Sequence, residues 1–293
     1  MLLTVAITLG TLALAGQVDT TLPVQPGQRL EVNTFGGEIN VKSWARNAVR
    51  VQADPSSRTQ VVVSVSGSTV SVHTEGRRGP ASAVDLNITA PAWMGLDLSG
   101  VYADVTVEGA RGPITVETVQ GEVDVTGGEG NVSLSSVQGS VRLRGGKGRI
   151  EVHSVNEDVT VLESSGEIRA EAVNGEVSLE KVDATSLDAT TVNGDVKYDG
   201  PIHDGGRYAL SSHNGDITLA VAPGANAAVS VSTYGGEFES EFPVTITQGR
   251  KGKRFDFTLG KGGAQVELES FQGTIRLVRP GSSALHGDRD DHD

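Results

Sequence analysis

The sequence contains no cysteine in 293 residues, which removes disulfides, zinc ribbons, iron–sulfur clusters and thiol catalysis together. Aromatic residues make up only 4 %, and the apolar share is 37 %. A core built from such a chain must be thin and Val-rich, because it lacks large side chains to fill a deep globule. Positive charge is also scarce: 24 Lys and Arg stand against 37 Asp and Glu, a net charge of −13. That balance opposes a non-specific grip on nucleic acid or on anionic membrane. The sequence holds no H-E-x-x-H, no G-x-S-x-G and no phosphate loop ending in Gly-Lys-Ser/Thr.

The first residues are different in kind. Met1 to Ala15 (MLLTVAITLGTLALA) is uncharged and apolar and ends in Ala13-Leu14-Ala15 before Gly16. An apolar run followed by a small-x-small site is the pattern of a secretory signal peptide. The run lacks the Lys or Arg that such a peptide usually carries at its start, and a buried N-terminal strand or helix is the competing reading. It falls short of the ~20 residues of a membrane-spanning helix, and no later apolar stretch reaches that length. The expectation is an exported chain, periplasmic, cell-surface or extracellular, with no membrane segment once the leader is cleaved.

What the sequence has in abundance is repetition. Thr118-Val-Gln-Gly-Glu-Val-Asp-Val125 aligns with Ser136-Val-Gln-Gly-Ser-Val-Arg-Leu143, Ser154-Val-Asn-Glu-Asp-Val-Thr-Val161, Ala172-Val-Asn-Gly-Glu-Val-Ser-Leu179 and Thr191-Val-Asn-Gly-Asp-Val-Lys-Tyr198. Ser212 to Leu219, Thr233 to Ser240 and Ser270 to Leu277 continue the series. The fourth position advances by 18 residues three times, then by 19, 21 and 21. A half-step lies nine residues before members of this series, at Gly112-Pro-Ile-Thr-Val, Gly130-Asn-Val-Ser-Leu, Gly148-Arg-Ile-Glu-Val and Gly166-Glu-Ile-Arg-Ala. Each half-unit is thus a Gly-containing turn and a short apolar-polar-apolar strand. Nine residues are too few for a strand plus a crossover helix.

Two strands and two turns per 18 residues predict one rung of a parallel β-solenoid, an all-β fold with rungs stacked ~4.8 Å apart. Val123, Val141, Val159, Val177, Val196 and Ile217 would form one inward ladder. Val132, Ile150 and Ile168, with Leu134, Val152 and Ala170 beside them, would form the other. A series of antiparallel hairpins is the alternative, since Asn-Gly is also a hairpin turn signal.

The division that follows is a signal peptide over 1–15, a linker over 16–27, the solenoid over 28–281 and a disordered acidic tail over 282–293. Within the solenoid, 28–100 reads as irregular rungs and hairpins and 101–240 as regular rungs. An insertion with a basic tip, Gln248 to Arg254, and a closing rung at Leu268 to Val278 occupy 241–281. Atypical ends are expected because a solenoid must hide its terminal sheet edges.

The repeated Gly-Glu/Asp-Val/Ile unit at Gly121, Gly175, Gly194 and Gly215, the opening Gly37 to Val51 and the run Val84 to Pro91 resemble the bacterial putative-adhesin family. That is a family of uncharacterised exported β-solenoid proteins, and the likeness runs from about residue 28 to 279. The resemblance implies an envelope-associated solenoid. It brings no catalytic residue with it.

Several constellations merit weighing. After the turn Gly comes a column of Glu122, Ser140, Asp158, Glu176, Asp195, Asp216 and Glu237. Stacked in register, neighbouring carboxylates would repel by somewhat under ~1 kcal/mol in water. The column reads either as a strip for a divalent cation or polycation or as a solvated turn position. Calcium-filled rolls share the nine-residue step, but the apolar Val132 and Ile150 stand where the ligand Asp would be. Asn156, Asn174, Asn193 and Asn214 form a second column, expected to be an amide ladder satisfying turn backbone. Arg142, Arg144, Lys147 and Arg149 read as surface charge balanced by acids such as Glu122 and Asp158.

A polysaccharide-degrading β-helix would need two placed carboxylates in an aromatic-walled cleft. Between Ala103 and Lys197 there is no Phe, Tyr or Trp. Trp44, Trp93, Tyr102, Tyr198, Tyr208, Tyr234, Phe238 and Phe271 are expected to fill the ends of the core. The reading that results is a non-enzymatic interaction scaffold, with no catalytic residue, cofactor or metal assigned. Its partner would be an envelope protein or polymer, and a periplasmic sensing module or a carbohydrate-active enzyme are the alternatives.

Overall fold

The computed structural model describes residues 12–14, 17–244, 247–248, 253–282 and 285. Among them are 26 strands and no α-helix. The junction at Ala15 and Gly16, most of the basic tip and the tail from His286 lie outside the described residues.

Through the repeat the chain alternates between two parallel ladders. On the first face Ile114–Gln120, Glu129–Gln138, Lys147–Ser154, Ser165–Ala172, Asp183–Thr191 and Arg207–Ser212 pair in succession. On the second, Val123–Gly127, Val141–Arg144, Val159–Leu162, Val177–Glu180, Val196–Asp199 and Ile217–Ala220 do the same. Val123 sits beside Val141, Val141 beside Val159, and Val159 beside Val177, which is the 18-residue period made physical. The parallel register rules out a hairpin series here. Every residue predicted for the two inward ladders is buried, and the main core cluster runs from Val18 to Leu277, with a small second one of Ala220, Val278 and Leu285. Val and Ile suit such a stack because their stiff side chains lose little further freedom on a pleated surface.

The turns stack as tightly as the strands. A β-carbon at Gly139, Gly194 or Gly215 would run into the carbonyl oxygen of Gly121, Gly175 or Gly194 in the preceding rung. Glycine recurs here because of this close approach, since none of the three has positive φ. The same carbonyls are then capped from within. Ser136 donates to Gly121 O at 3.0 Å, Ser154 to Gly139 O at 3.0 Å, Thr191 to Gly175 O at 2.8 Å and Ser212 to Gly194 O at 2.8 Å. These hydroxyls are buried and belong to the first position of the repeat. They form a polar column inside an apolar core, each one satisfied, as burial requires.

Both ends of the stack exchange the order of their last two rungs. Leu268 to Val278, expected to close the stack, instead lies inside it. Ala264–Ser270 pairs with Arg207–Ser212 on one side and Ala227–Thr233 on the other. Ile275–Val278 likewise separates Ile217–Ala220 from Phe238–Ser240. Arg276 bolts the three rungs together, reaching Asp216 at 2.6 Å and Glu239 at 3.0 Å. At the other end Arg29–Trp44 lies between the long strand Gly95–Ala110 and an outer rung made of Thr69–Gly76 and Leu86–Pro91.

Antiparallel strands cover the outer edges. Lys253–Leu259 pairs with Ala227–Thr233, Thr59–Ser66 with Thr69–Gly76, and Ala48–Ala53 with Leu86–Pro91. This is how a terminal edge is kept from pairing with other chains. The stretch 16–27, expected to be a linker, includes the strand Val18–Pro23, which extends this cap by pairing with Ala48–Ala53. Val18 is buried, so the apolar residue that looked like linker is part of the core. Leu12–Leu14 pairs antiparallel with Val61–Val63.

A candidate interaction surface

The column after the turn Gly has a structural occupation. Asp104 accepts the backbone N–H of Glu122 at 2.9 Å, Asp158 that of Glu176 at 2.8 Å, Asp195 that of Asp216 at 2.8 Å and Asp216 that of Thr274 at 2.7 Å. A carboxylate of one rung thus holds an amide of the next, a charge-assisted bond. Lys197 meets Glu176 at 2.9 Å and Arg276 meets Asp216, while Glu122 and Glu237 are exposed. No group of three or more His, Asp or Glu suited to a metal occurs among the described residues.

The two readings of this column make different predictions. If Asp195 acts as an acceptor, Asp195→Asn keeps its oxygen and costs little, while Asp195→Ala exposes the amide of Asp216 and costs about 1 kcal/mol. Thermal melts with and without millimolar calcium are expected to coincide for parent and Asn variant. A saturable calcium-dependent rise lost in Asp195→Asn would instead mark a cation strip.

The amide column is a ladder of side chains. Asn174 donates to Asn156 Oδ1 at 3.0 Å, Asn193 to Asn174 at 2.9 Å and Asn214 to Asn193 at 2.8 Å. Only Asn156 donates to backbone, at Val137 O. Gln120 and Gln138 extend the pattern at 2.7 Å. The basic cluster finds acids other than those expected: Arg142 faces Asp124, Arg144 faces Glu163 and Arg149 faces Glu151. All of these pairs are exposed, and each contributes little.

Between the buried hydroxyl column and the amide ladder runs a line of apolar side chains that points outward. Because Ser136 faces in, Val137 must face out. The register aligns Phe35, Val101, Val119, Val137, Val155, Val173, Val192, His213, Phe271 and Tyr234 on successive rungs. Val119 is 48 % exposed, Val137 39 %, Val192 40 % and Tyr234 75 %. Valine costs nothing unusual when exposed singly, but a continuous apolar line is the kind of surface that marks a contact site. Nine steps of ~4.8 Å make it roughly 43 Å long.

The two ends of this line are aromatic. Tyr234 and Phe271 stack with centroids 4.9 Å apart, and Phe271 stacks on His213 at 4.7 Å. At the other end Phe35 meets Tyr102 edge-on at 5.4 Å. Tyr102, Tyr234 and Phe271 are therefore surface residues, not the core fillers expected of them. Tyr198 and Tyr208 do fill the core, fully buried. Beside the line near the Phe35 end lies a shallow concavity of about 330 Å³. Gly100 and Thr118 lie at its lining with Val101, Val119 and Val137 along it. It carries no pair of acids placed for catalysis, only Glu117.

These features define the chain as a parallel β-solenoid with a polar cap on each turn and one apolar seam along its side. Residues 172–278 match the family Toastrack DUF4097, and the resemblance drawn from the Gly-Asp/Glu-Val unit holds on this segment. Among solved structures the chain is similar to a putative cell adhesion protein from Clostridium sporogenes, at 11 % identity, over 90 % of this chain and 99 % of that one, with a TM-score of 0.27. It is also similar to a putative adhesin from Parabacteroides distasonis, at 10 % identity over 89 % and 97 % of the two chains, with a TM-score of 0.39. No curated protein matches. Among the described residues no helix is long and apolar enough to cross a membrane.

Proposed function

We propose that the chain is an exported, non-catalytic interaction scaffold whose contact surface is the outward seam from Phe35 to Tyr234. The observation that carries this reading is the seam itself. An acidic chain that could place Ser or Thr at these turns instead places Val on five consecutive rungs, with Val119, Val137 and Val192 exposed and Val155 and Val173 half-buried. A solenoid offers such a repeating surface to multivalent contact more readily than to a deep pocket. Met1 to Ala15 supports export, as an uncharged apolar run ending in the small-x-small site Ala13-Leu14-Ala15.

The test is retention on the envelope fraction of the producing cell. Val119→Asp is expected to lower retention at least about tenfold, a change of roughly 1.4 kcal/mol in binding, with the melting temperature unchanged because the site is exposed. Retention equal to the parent would overturn the seam as the surface that meets the envelope. The exported fraction should begin near Gly16, and an intact Met1 found only in the cytoplasm would overturn export.

A further inference from the structure

We infer that the seam's partner is a second copy of this chain, laid antiparallel along it about a two-fold axis between Val155 and Val173. This rests on the seam being a contact surface and adds what covers it.

Three observations point to self-association. First, the seam has the size for it. Seven of its ten members are exposed large apolar side chains, spread over roughly 43 Å, the scale of a standard interface of ~800 Å² per partner. Second, its profile is complementary to itself end for end. The antiparallel arrangement sets Phe271 against Val101, His213 against Val119 and Val192 against Val137. The bulky, stacked end of one copy thereby meets the concavity at Gly100 and Thr118 of the other. Tyr234 meets Phe35, and Val155 meets Val173, where both copies are slender.

The third observation is charge. In a chain of net charge −13 the seam carries no Asp, Glu, Lys or Arg, and Gln and Asn line one flank from Gln120 to Asn214. On the other flank the outward residues run Asn33, Ser99, Glu117, Ser135, His153, Glu171, Thr190, Ser211, Glu269 and Ser232, in rung order. Antiparallel pairing sets Glu117 against Ser211, Glu269 against Ser99 and His153 against Glu171. No carboxylate of this flank meets another. Like charges face to face are what otherwise forbid association, and this register avoids them at all ten rungs. A closed two-fold contact of this kind uses the whole seam on both copies and stops at two.

Sedimentation of the full chain over a range of concentrations tests the arrangement, because Val137 and Val192 face each other only in this register. Val137→Asp alone and Val192→Lys alone are each expected to raise the dimer dissociation constant at least about tenfold, by placing a charge against a valine. The double variant places Asp against Lys twice and should return to within about threefold of the parent. A parent that stays monomeric at all concentrations overturns the proposal. So does a dimer that survives both single variants, or a double variant as weak as the singles, which would mean another register. A monomeric parent that still loses envelope retention on Val119→Asp leaves the seam as a contact surface and removes only the second copy.

Discussion

Val159→Asp is expected to abolish the cooperative thermal unfolding of the chain, while Thr160→Asp leaves it within about 1 kcal/mol of the parent. Val159 is fully buried, with Val141 and Val177 as its ladder neighbours. An ionised carboxylate there has no cation to meet, and burying an unpaired charge costs more than a domain of ordinary stability can supply. The position is also near the middle of the stack. A solenoid is held together by contacts between successive rungs, so a failed interface at its centre separates two halves that are each too short to persist well. Thr160 is the next residue on the same strand and points the other way, beside Arg142. Circular dichroism melts of the two variants therefore test the alternation that the entire fold rests on. A native-like melt for Val159→Asp would mean that this strand faces its neighbours differently.

Much of the regular stack was readable because two periods agree. Alternation says which side chains point inward, and the 18-residue recurrence says which residue each one meets in the next rung. The exchanged rung order at the ends was not readable for the same reason that the repeat was: Ser270-Phe-Gln-Gly can dock on Ser212-His-Asn-Gly as well as Thr233-Tyr-Gly-Gly can. Identical stacking units carry no label for their neighbours. The linker reading of 16–27 failed because a single cap strand carries too short an alternation to stand out.

The seam was within reach of the sequence and was missed. Phe271 follows Ser270 as Val192 follows Thr191, so the parity that turns the hydroxyl inward turns Tyr234 and Phe271 outward. The expectation that aromatics fill the core overrode that parity. The hydroxyl column was also visible, as Ser or Thr at the first repeat position. Its purpose was not, because the carbonyl it satisfies belongs to another rung, 15 residues earlier for Ser136 and Ser154. Similarly, the acidic column looked like unpaired charge until the amide of the following rung came into view.

Tyr198→Ala is expected to cost 3 to 5 kcal/mol, roughly the range for removing a fully buried aromatic side chain. Tyr198 and Tyr208 face each other on opposite ladders, ring centroids 5.9 Å apart, where the step of the repeat lengthens from 18 residues to 19 and 21. Here two rings stand where the adjacent rungs carry Leu179 and Leu219 on one ladder and Leu187 and Val266 on the other. Their hydroxyls are satisfied by the chain: Tyr198 donates to Pro201 O at 2.9 Å, and Tyr208 donates to Ala184 O at 2.8 Å while accepting from His203 N. Tyr198→Phe keeps the ring and loses one bond, so it should cost only about 1 kcal/mol.

The same burial links this site to pH. It pushes the Tyr198 hydroxyl well above the ordinary phenol value. The folded state therefore holds a proton that the unfolded state releases, and the stability this represents is complete below pH ~10 and lost as pH rises beyond it. Urea unfolding across the alkaline range should show a shallower decline for Tyr198→Phe than for the parent. A Tyr198→Ala variant within 1 kcal/mol of the parent, or an alkaline limb unchanged in Tyr198→Phe, would place this ring outside the packed interior.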